Sequence, residues 1–531
     1  MGYPRFDRRK FLLGASGMAL FAGLGPAGRL WATPRFNAYP FSLGVASGDP
    51  WPDGFVIWTR LAPEPLAENG GMPMLAVPVR WEVAEDERFG GVVRRGEAIA
   101  RPELGHSVHV EVDGLRPHRP YWYRFYVERQ APSPTGKVRT APQTGVAVDR
   151  VRIGVAGCQH WEAGSYTAYR HLSQEPELDA IFHYGDYIYE GAGKPGKSII
   201  DAAGNEIARQ HAGGEIYTLD QYRRRYAQYK SDHDLQAAHA AAAFLSTWDD
   251  HEIDNNWAGS HDQDGTPPEV FALRRHVAMQ AWYENMPVRR AQFPRVDGLT
   301  MHRRLDYGGL LRVHLMDTRQ YRTKQRCDAS LLERMRPCRP QDDAGEEQII
   351  GTAQAQWLAQ GLESDARWHL LAQQVMMMPY AYPPSRAAGP VNTDSWSGYP
   401  RARQRVLDLM RQRAHGNVIV ATGDVHKHHA GVIPSNPADL LSTPVATEYV
   451  TTSISSGGDG EDMPPTWANV LSDNPHTKLL NDKRGYQVFE VGPRAWRTDV
   501  VAVDRVSVTG GEKRVIARLV TEHGKPGVEH A

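Results

Sequence analysis

The stretch His183-Tyr184-Gly185-Asp186-Tyr187-Ile188-Tyr189-Glu190 decides how this chain folds and what chemistry it can carry. The mostly apolar run 178–182 leads into it and reads as a buried strand. The strand ends at Gly-Asp, and a tyrosine follows three residues after the Asp. A carboxylate at the C-terminal end of a strand faces the crevice where open α/β sheets bind ligands. A phenolate three residues on can reach the same point, and the two make a hard-oxygen pair suited to a trivalent metal.

Four further predicted strands end in the same way. The apolar run ending in Gly157 is followed by Cys158-Gln159-His160. Phe244-Leu245-Ser246-Thr247-Trp248 gives way to Asp249-Asp250-His251-Glu252, with Asn255-Asn256 close behind. Leu311-Arg312-Val313-His314-Leu315-Met316 runs into Asp317-Thr318-Arg319-Gln320-Tyr321-Arg322. Val418-Ile419-Val420-Ala421-Thr422-Gly423 runs into Asp424-Val425-His426-Lys427-His428-His429. A single Asp after a strand is more often a helix cap or a turn residue. Five strand ends carrying Asp, His, Cys or Tyr predict instead that these ends converge on one sheet edge to form a dinuclear or larger metal site.

At 531 residues the chain is too long for one hydrophobic core, so two or more domains are expected. Charged residues make up 23% and the net charge is -1, which gives no basic excess for nucleic acid and no acidic run for disorder. The N-terminal Asp7-Arg8-Arg9-Lys10-Phe11-Leu12-Leu13 matches the twin-arginine pattern. The apolar stretch after it, 11–24, is too short and too Gly-rich to span a bilayer. Residues 1–32 therefore read as a twin-arginine signal peptide, with the twin-arginine export machinery as a partner, a periplasmic or secreted location, and no transmembrane span in the mature chain. Of the three cysteines, Cys327 and Cys338 lie close together in a polar Arg/Pro stretch and could pair in an oxidising compartment, which leaves Cys158 over.

Residues 38–145 read as an all-β sandwich. Phe55-Val56-Ile57-Trp58-Thr59, Val79-Arg80-Trp81-Glu82-Val83 and Tyr121-Trp122-Tyr123-Arg124-Phe125-Tyr126-Val127 are rich in β-branched and aromatic residues, and turn signals separate them. Leu115-Arg116-Pro117 before the aromatic strand is similar to the corner of fibronectin-type sandwiches. After a Pro/Ser/Thr/Gly-rich linker the pattern changes. Strands predicted at 151–156, 180–184, 242–248, 310–316, 369–376, 417–422 and 448–454 alternate with helices at 166–172, 219–229, 270–284, 353–364 and 401–413, which predicts an α/β domain with a substantial sheet over 150–510. Residues 511–531 are expected to be a C-terminal tail.

The order of these motifs, from Cys158 through Gly185-Asp186-x-x-Tyr189, Asp249-Asp250-His251-Glu252 and Asp317-Thr318-Arg319-Gln320-Tyr321-Arg322 to Gly423-Asp424-Val425-His426, resembles the PhoD-like alkaline phosphatases. These are relatives of the calcineurin-like metallophosphoesterases and purple acid phosphatases. The resemblance covers nearly the whole chain, including Gly44-Val45-Ala46-Ser47-Gly48-Asp49-Pro50 at the start of the β module. It implies an α/β metallophosphoesterase-like sheet sandwich behind an N-terminal all-β, fibronectin/Ig-like domain. It also implies roles. Asp186 would be the metal-bridging carboxylate. Cys158, standing where relatives carry Asp-x-His, would join Tyr189 and His426 around Fe3+. Asp250 and Asp424, replacing an Asn and an imidazole, would favour Ca2+ as the second ion, with Zn2+ as the alternative metal. His251 would contact substrate and protonate the leaving oxygen. Arg319 would fork onto phosphate, with Tyr321 beside it, and Asn256 would be a further substrate contact.

The implied activity is hydrolysis of phosphate monoesters, diesters or both by metal-hydroxide attack, on a phosphate-ester small molecule or a phospholipid. A phospholipase D-type phosphodiesterase is one alternative. A non-catalytic exported binding protein with a vestigial metal site is another; against it, no expected ligand position has become Ala, Gly or Val.

Overall fold

A computed structural model describes residues 36–325, 346–381 and 392–531, except 415 and 468. The twin-arginine segment, Cys327 and Cys338 lie outside the described residues. Each strand predicted around the motifs is present within a few residues: Val151–Ala156, Ala180–His183, Ala243–Ser246, Leu311–Leu315, Trp368–Ala372 and Val418–Thr422. The last predicted strand begins earlier and ends at Val450, as Asp439–Val450. The predicted helices form as Thr167–Ser173, Leu219–Lys230, Pro268–Asn285, Gly351–Leu362 and Pro400–Arg413.

These strands do not share one sheet. Among the described residues a ten-stranded sheet runs in the order Lys525–His530, Lys513–Glu522, Ala495–Val503, Gly485–Val491, Val151–Ala156, Ala180–His183, Ala243–Ser246, Val45–Trp51, Gly54–Arg60, Ser107–Val112. A seven-stranded sheet runs Arg303–Tyr307, Leu311–Leu315, Trp368–Ala372, Val418–Thr422, Asp439–Val450, His428–Asn436, Thr477–Asn481. The two sheets share a core. Ile153, Val155, Phe182 and Leu245 from the first meet Val313, Leu370, Ile419 and Tyr449 from the second, all fully buried. Alternation fixes which face each residue takes: in Val418–Thr422, Ile419 and Ala421 enter this core while Val418 and Val420 pack under the helices on the other side. Helices Thr167–Ser173, Leu219–Lys230 and Pro268–Asn285 cover the outer face of the larger sheet.

Two expected boundaries are not seen as such. Residues 511–531 are not a tail, because Lys513–Glu522 pairs antiparallel with Ala495–Val503, and Lys525–His530 pairs antiparallel with Lys513–Glu522, extending the large sheet. The N-terminal β module is not a closed unit. Val77–Ala84, Val92–Ala100, Pro120–Tyr126 and Gly136–Arg139 form a four-stranded sheet, but the layer facing it consists of Val45–Trp51, Gly54–Arg60 and Ser107–Val112, and Val45–Trp51 pairs in parallel with Ala243–Ser246. At the predicted corner the Tyr121 hydroxyl accepts the Arg116 backbone N–H at 2.9 Å. Among the described residues no helix is long and apolar enough to cross a membrane.

Candidate metal centre and active site

Parallel pairing brings the C-terminal ends of five strands together. In the large sheet Val151–Ala156, Ala180–His183 and Ala243–Ser246 are mutually parallel and present Cys158, Asp186, and Asp249 with Asp250. In the second sheet Leu311–Leu315 and Val418–Thr422 lie parallel on either side of Trp368–Ala372 and present Arg319 and Asp424. The backbone bends sharply there. Cys158, Asp186, Asn256, Asp424 and His426 all have φ between 51° and 66°. Each such residue costs on the order of 1–3 kcal/mol and persists only where its surroundings over-determine it. Gly185 (φ 132°) is required for a different reason, since a Cβ there would lie 2.3 Å from the Asp249 backbone nitrogen.

Glu252 ties two of these bends together. Its fully buried carboxylate accepts from the backbone N–H groups of Tyr187 (2.7 Å), Asp186 (3.1 Å) and Asp249 (2.9 Å). Tyr189 is pinned from the helix Leu219–Lys230. The Tyr229 hydroxyl accepts its backbone N–H at 3.2 Å and the Arg225 guanidinium donates to its carbonyl. That helix starts on a capping box, with Thr218 and Gln221 exchanging side-chain and backbone bonds.

Asp186 is the meeting point. Its Oδ2 lies 3.3 Å from Cys158 Sγ, 2.8 Å from the Tyr189 hydroxyl and 4.0 Å from His426 Nε2. Among the described residues its Oδ1 is buried without a hydrogen-bond partner. Burial, then the nearby Asp250 charge, push the Asp186 carboxyl up to about 7. Burial and neighbouring carboxylates also push the Cys158 thiol and the Tyr189 phenol well up, so neither ionises without a cation beside it. Burial pushes His426 down to about 3, leaving its imidazole neutral with a lone pair to offer. Cys158, Asp186 and His426 thus form one group with metal-ligand spacing; Asp186, Asp250 and His251 form a second, and Asp249, Asp250 and Asp424 a third. These residues fit a pair of cations, because orphaned Asp186 Oδ1 and Asp249 Oδ2 and an excess of buried carboxylate call for positive charge.

Arg319 already supplies one such charge, which corrects the expectation that it forks onto phosphate. Its side chain is fully buried, with Nε 2.5 Å from Asp249 Oδ1, Nη1 2.7 Å from Asp394 Oδ2, and Nη2 3.8 Å from both Asp250 Oδ2 and Asp424 Oδ1. Asp317 does not pair with the guanidinium; its Oδ1 accepts the backbone N–H groups of Arg319 and Gln320 at 2.9 Å each. For Asp250, burial alone would raise the carboxyl, but Arg319 and His251 outweigh it and hold Asp250 below the carboxylate range. Tyr321 follows two residues after Arg319. It is half-exposed, with its ring near His302 and its Cβ over Gly351. Asn256 reaches the centre through its backbone N–H, which donates to Asp250 Oδ2 at 2.7 Å.

His251 is held beside the centre by Glu190. Nδ1 is 2.7 Å from Glu190 Oε2 and its ring lies 4.0 Å from that of Tyr189, centroid to centroid. Burial would lower its pKa, but Glu190, Asp250 and Asp186 outweigh that and hold it well up, as an imidazolium. The acid form of such a group is present below its pKa and lost as pH rises through it. Glu190→Gln should therefore move the alkaline limb of the kcat–pH profile to lower pH. A limb that stays in place would assign it to another group. Sequence reading missed Glu190, Asp394 and Ser456. Ser456 Oγ donates to the Cys158 carbonyl and lies 2.7 Å from the Tyr189 hydroxyl. Its only sequence signal is a Ser/Gly-rich run following a strand.

A cluster of buried carboxylates, imidazole, thiol and phenol at the ends of parallel strands defines a hydrolase site built around candidate metal ligands. Family models described as PhoD-like phosphatase and as PhoD-like phosphatase, N-terminal domain, match residues 153–500 and 27–142 respectively. The chain belongs to the PhoD-like phosphatase family and is a phosphoric-ester hydrolase of that family. It is 41% identical to alkaline phosphatase D of Bacillus subtilis (strain 168), over 98% of this chain and 89% of that one. The solved structure of PhoD superposes with a TM-score of 0.87 at 41% identity, covering 94% of this chain and 93% of that one.

Proposed function

We propose that this enzyme hydrolyses phosphate monoesters and diesters at a centre where Cys158, Asp186, Tyr189 and His426 hold Fe3+ and Asp250 and Asp424 hold Ca2+, with Asp186 shared. The observation that carries the reading is the convergence of thiol, phenol and imidazole on one carboxylate oxygen, Asp186 Oδ2. A thiolate and a phenolate together suit a redox-capable trivalent ion, whereas an all-carboxylate neighbour suits a hard divalent one. When bound, such ions neutralise phosphoryl charge and acidify water. The chain's own residues do the rest. His251 delivers a proton from Nε2 to the departing ester oxygen, and Glu190 holds the ring in place through Nδ1. Arg319 balances the carboxylates on the calcium side, and His251, whose side chain is 20% exposed, is left to face substrate.

In this reading the two facing sheets are a metallophosphoesterase sandwich, and the N-terminal β module is a fibronectin/Ig-like layer pair that shares Val45–Trp51, Gly54–Arg60 and Ser107–Val112 with the large sheet. The twin-arginine leader over 1–32 sends the folded enzyme to the periplasm or beyond.

Elemental analysis of freshly purified protein, with activity before and after chelation, tests the centre. Iron and calcium are expected, with activity lost on chelation and restored by both ions; two zinc and no iron would refute it. Tyr189→Phe should remove visible-range phenolate-to-iron absorption. The ratio of rates on p-nitrophenyl phosphate and its bis ester sets the preference between monoester and diester.

A further inference from the structure

Beyond the residues assigned above, we propose that His160 is a substrate-contacting residue whose Nε2–H donates a hydrogen bond to an oxygen of the bound phosphate ester. The proposal rests on the phosphate-ester reading. His160 lies two residues after Cys158 and opens the short turn Trp161–Ala163. Its Nδ1 accepts the Glu162 backbone N–H at 3.2 Å. A neutral imidazole whose Nδ1 accepts carries its proton on Nε2. No partner for that Nε2 is present among the described residues, and the residue is partly exposed.

Its backbone is locked to the loop that also anchors Cys158. The N–H of His160 donates to Ser456 Oγ at 3.1 Å, and Ser455 Oγ donates to its carbonyl at 2.9 Å. Its ring lies 4.4 Å from that of Tyr189, centroid to centroid. Tyr189 therefore has three imidazoles around it: His160, His251 at 4.0 Å, and His426 with Nε2 3.3 Å from the hydroxyl. The other two already have work in the reaction. His160 is the one with an uncommitted, preorganised donor, and donors fixed in advance are what a charged phosphoryl group is stabilised by.

With Glu162 and His211, His160 also makes a group with metal-ligand spacing. The hydrogen bonds favour scaffolding instead. Glu162 Oε1 accepts from the backbone N–H groups of Lys194 and His211, and His211 Nε2 is engaged by the Tyr229 hydroxyl at 2.8 Å.

Two substitutions separate the roles of the two ring nitrogens. His160→Asn keeps an acceptor near Nδ1 for the Glu162 N–H and loses the distal donor, whereas His160→Gln places an amide N–H near Nε2. The readout is competitive inhibition by inorganic phosphate, with metal content measured alongside. His160→Asn should weaken phosphate binding about ten-fold at unchanged metal content, while His160→Gln stays near wild type. Wild-type inhibition in His160→Asn, or equal weakening in both variants, would overturn the proposal. A wild-type protein that neither hydrolyses phosphate esters nor binds phosphate would overturn the functional reading, and the proposal with it.

Discussion

Asp186→Asn is expected to lower kcat/KM on p-nitrophenyl phosphate by about 10³-fold or more, roughly 4 kcal/mol of transition-state stabilisation. The substitution keeps the volume and removes the one charge on which Cys158, Tyr189 and His426 converge. It also places an amide N–H against the thiol and phenol donors that now point at Oδ2. Stability should move the other way. The Asp186 carboxyl is pushed up to about 7 by burial and by Asp250, so its contribution is fully present below the unfolded carboxyl pKa and is lost as pH rises through about 7. Metal-depleted Asp186→Asn protein should therefore resist urea better than metal-depleted wild type at pH 8, with the difference vanishing near pH 4. Activity within ten-fold of wild type would remove Asp186 from the centre.

Arg319→Met should destabilise the metal-depleted protein by about 3–5 kcal/mol at neutral pH, the usual result of stripping one partner from a buried ion pair. Asp249 and Asp394 lose a direct partner, and Asp250 and Asp424 lose a charge 3.8 Å away. With the guanidinium gone these carboxylates take up protons more readily when folded than when unfolded, so the deficit should shrink as pH falls. Calcium should recover more stability in the variant than in wild type, because the ion has more uncompensated charge to meet. Urea unfolding at two pH values, with and without calcium, decides it. An undiminished midpoint would show that Arg319 is not the counter-charge.

That the candidate ligands gather at strand ends was largely legible because each follows its strand directly. Each ligand follows a short apolar run, and runs such as Ala180–His183, ended by Gly and Asp, announce a strand and its terminus together. What sequence reading could not reach is non-local. The five strand ends divide between two sheets, three and two, because sheet membership depends on which strands pair, as Val151–Ala156 does with Gly485–Val491. Arg319 looked like a phosphate ligand because nothing near it in sequence shows Asp249 and Asp394 closing on it from other elements. Lys513–Glu522 reads as a tail because, near the sheet edge, it buries few residues and keeps charges on the rest.

That pairing of Val151–Ala156 bears on how the enzyme is made. A chain growing on the ribosome carries every expected metal ligand once His426 has emerged. The strand that delivers Cys158 then still has an open edge, and it stays open until Gly485–Val491 arrives to close it. The loop through Ser456 that bonds the Cys158 carbonyl is likewise held by Arg484, late in the chain. Assembly of the centre thus trails synthesis of its ligands. Chains cut short between His426 and Gly485 would carry the full ligand set on a bare strand edge prone to joining other chains, and would be expected to aggregate rather than to bind metal.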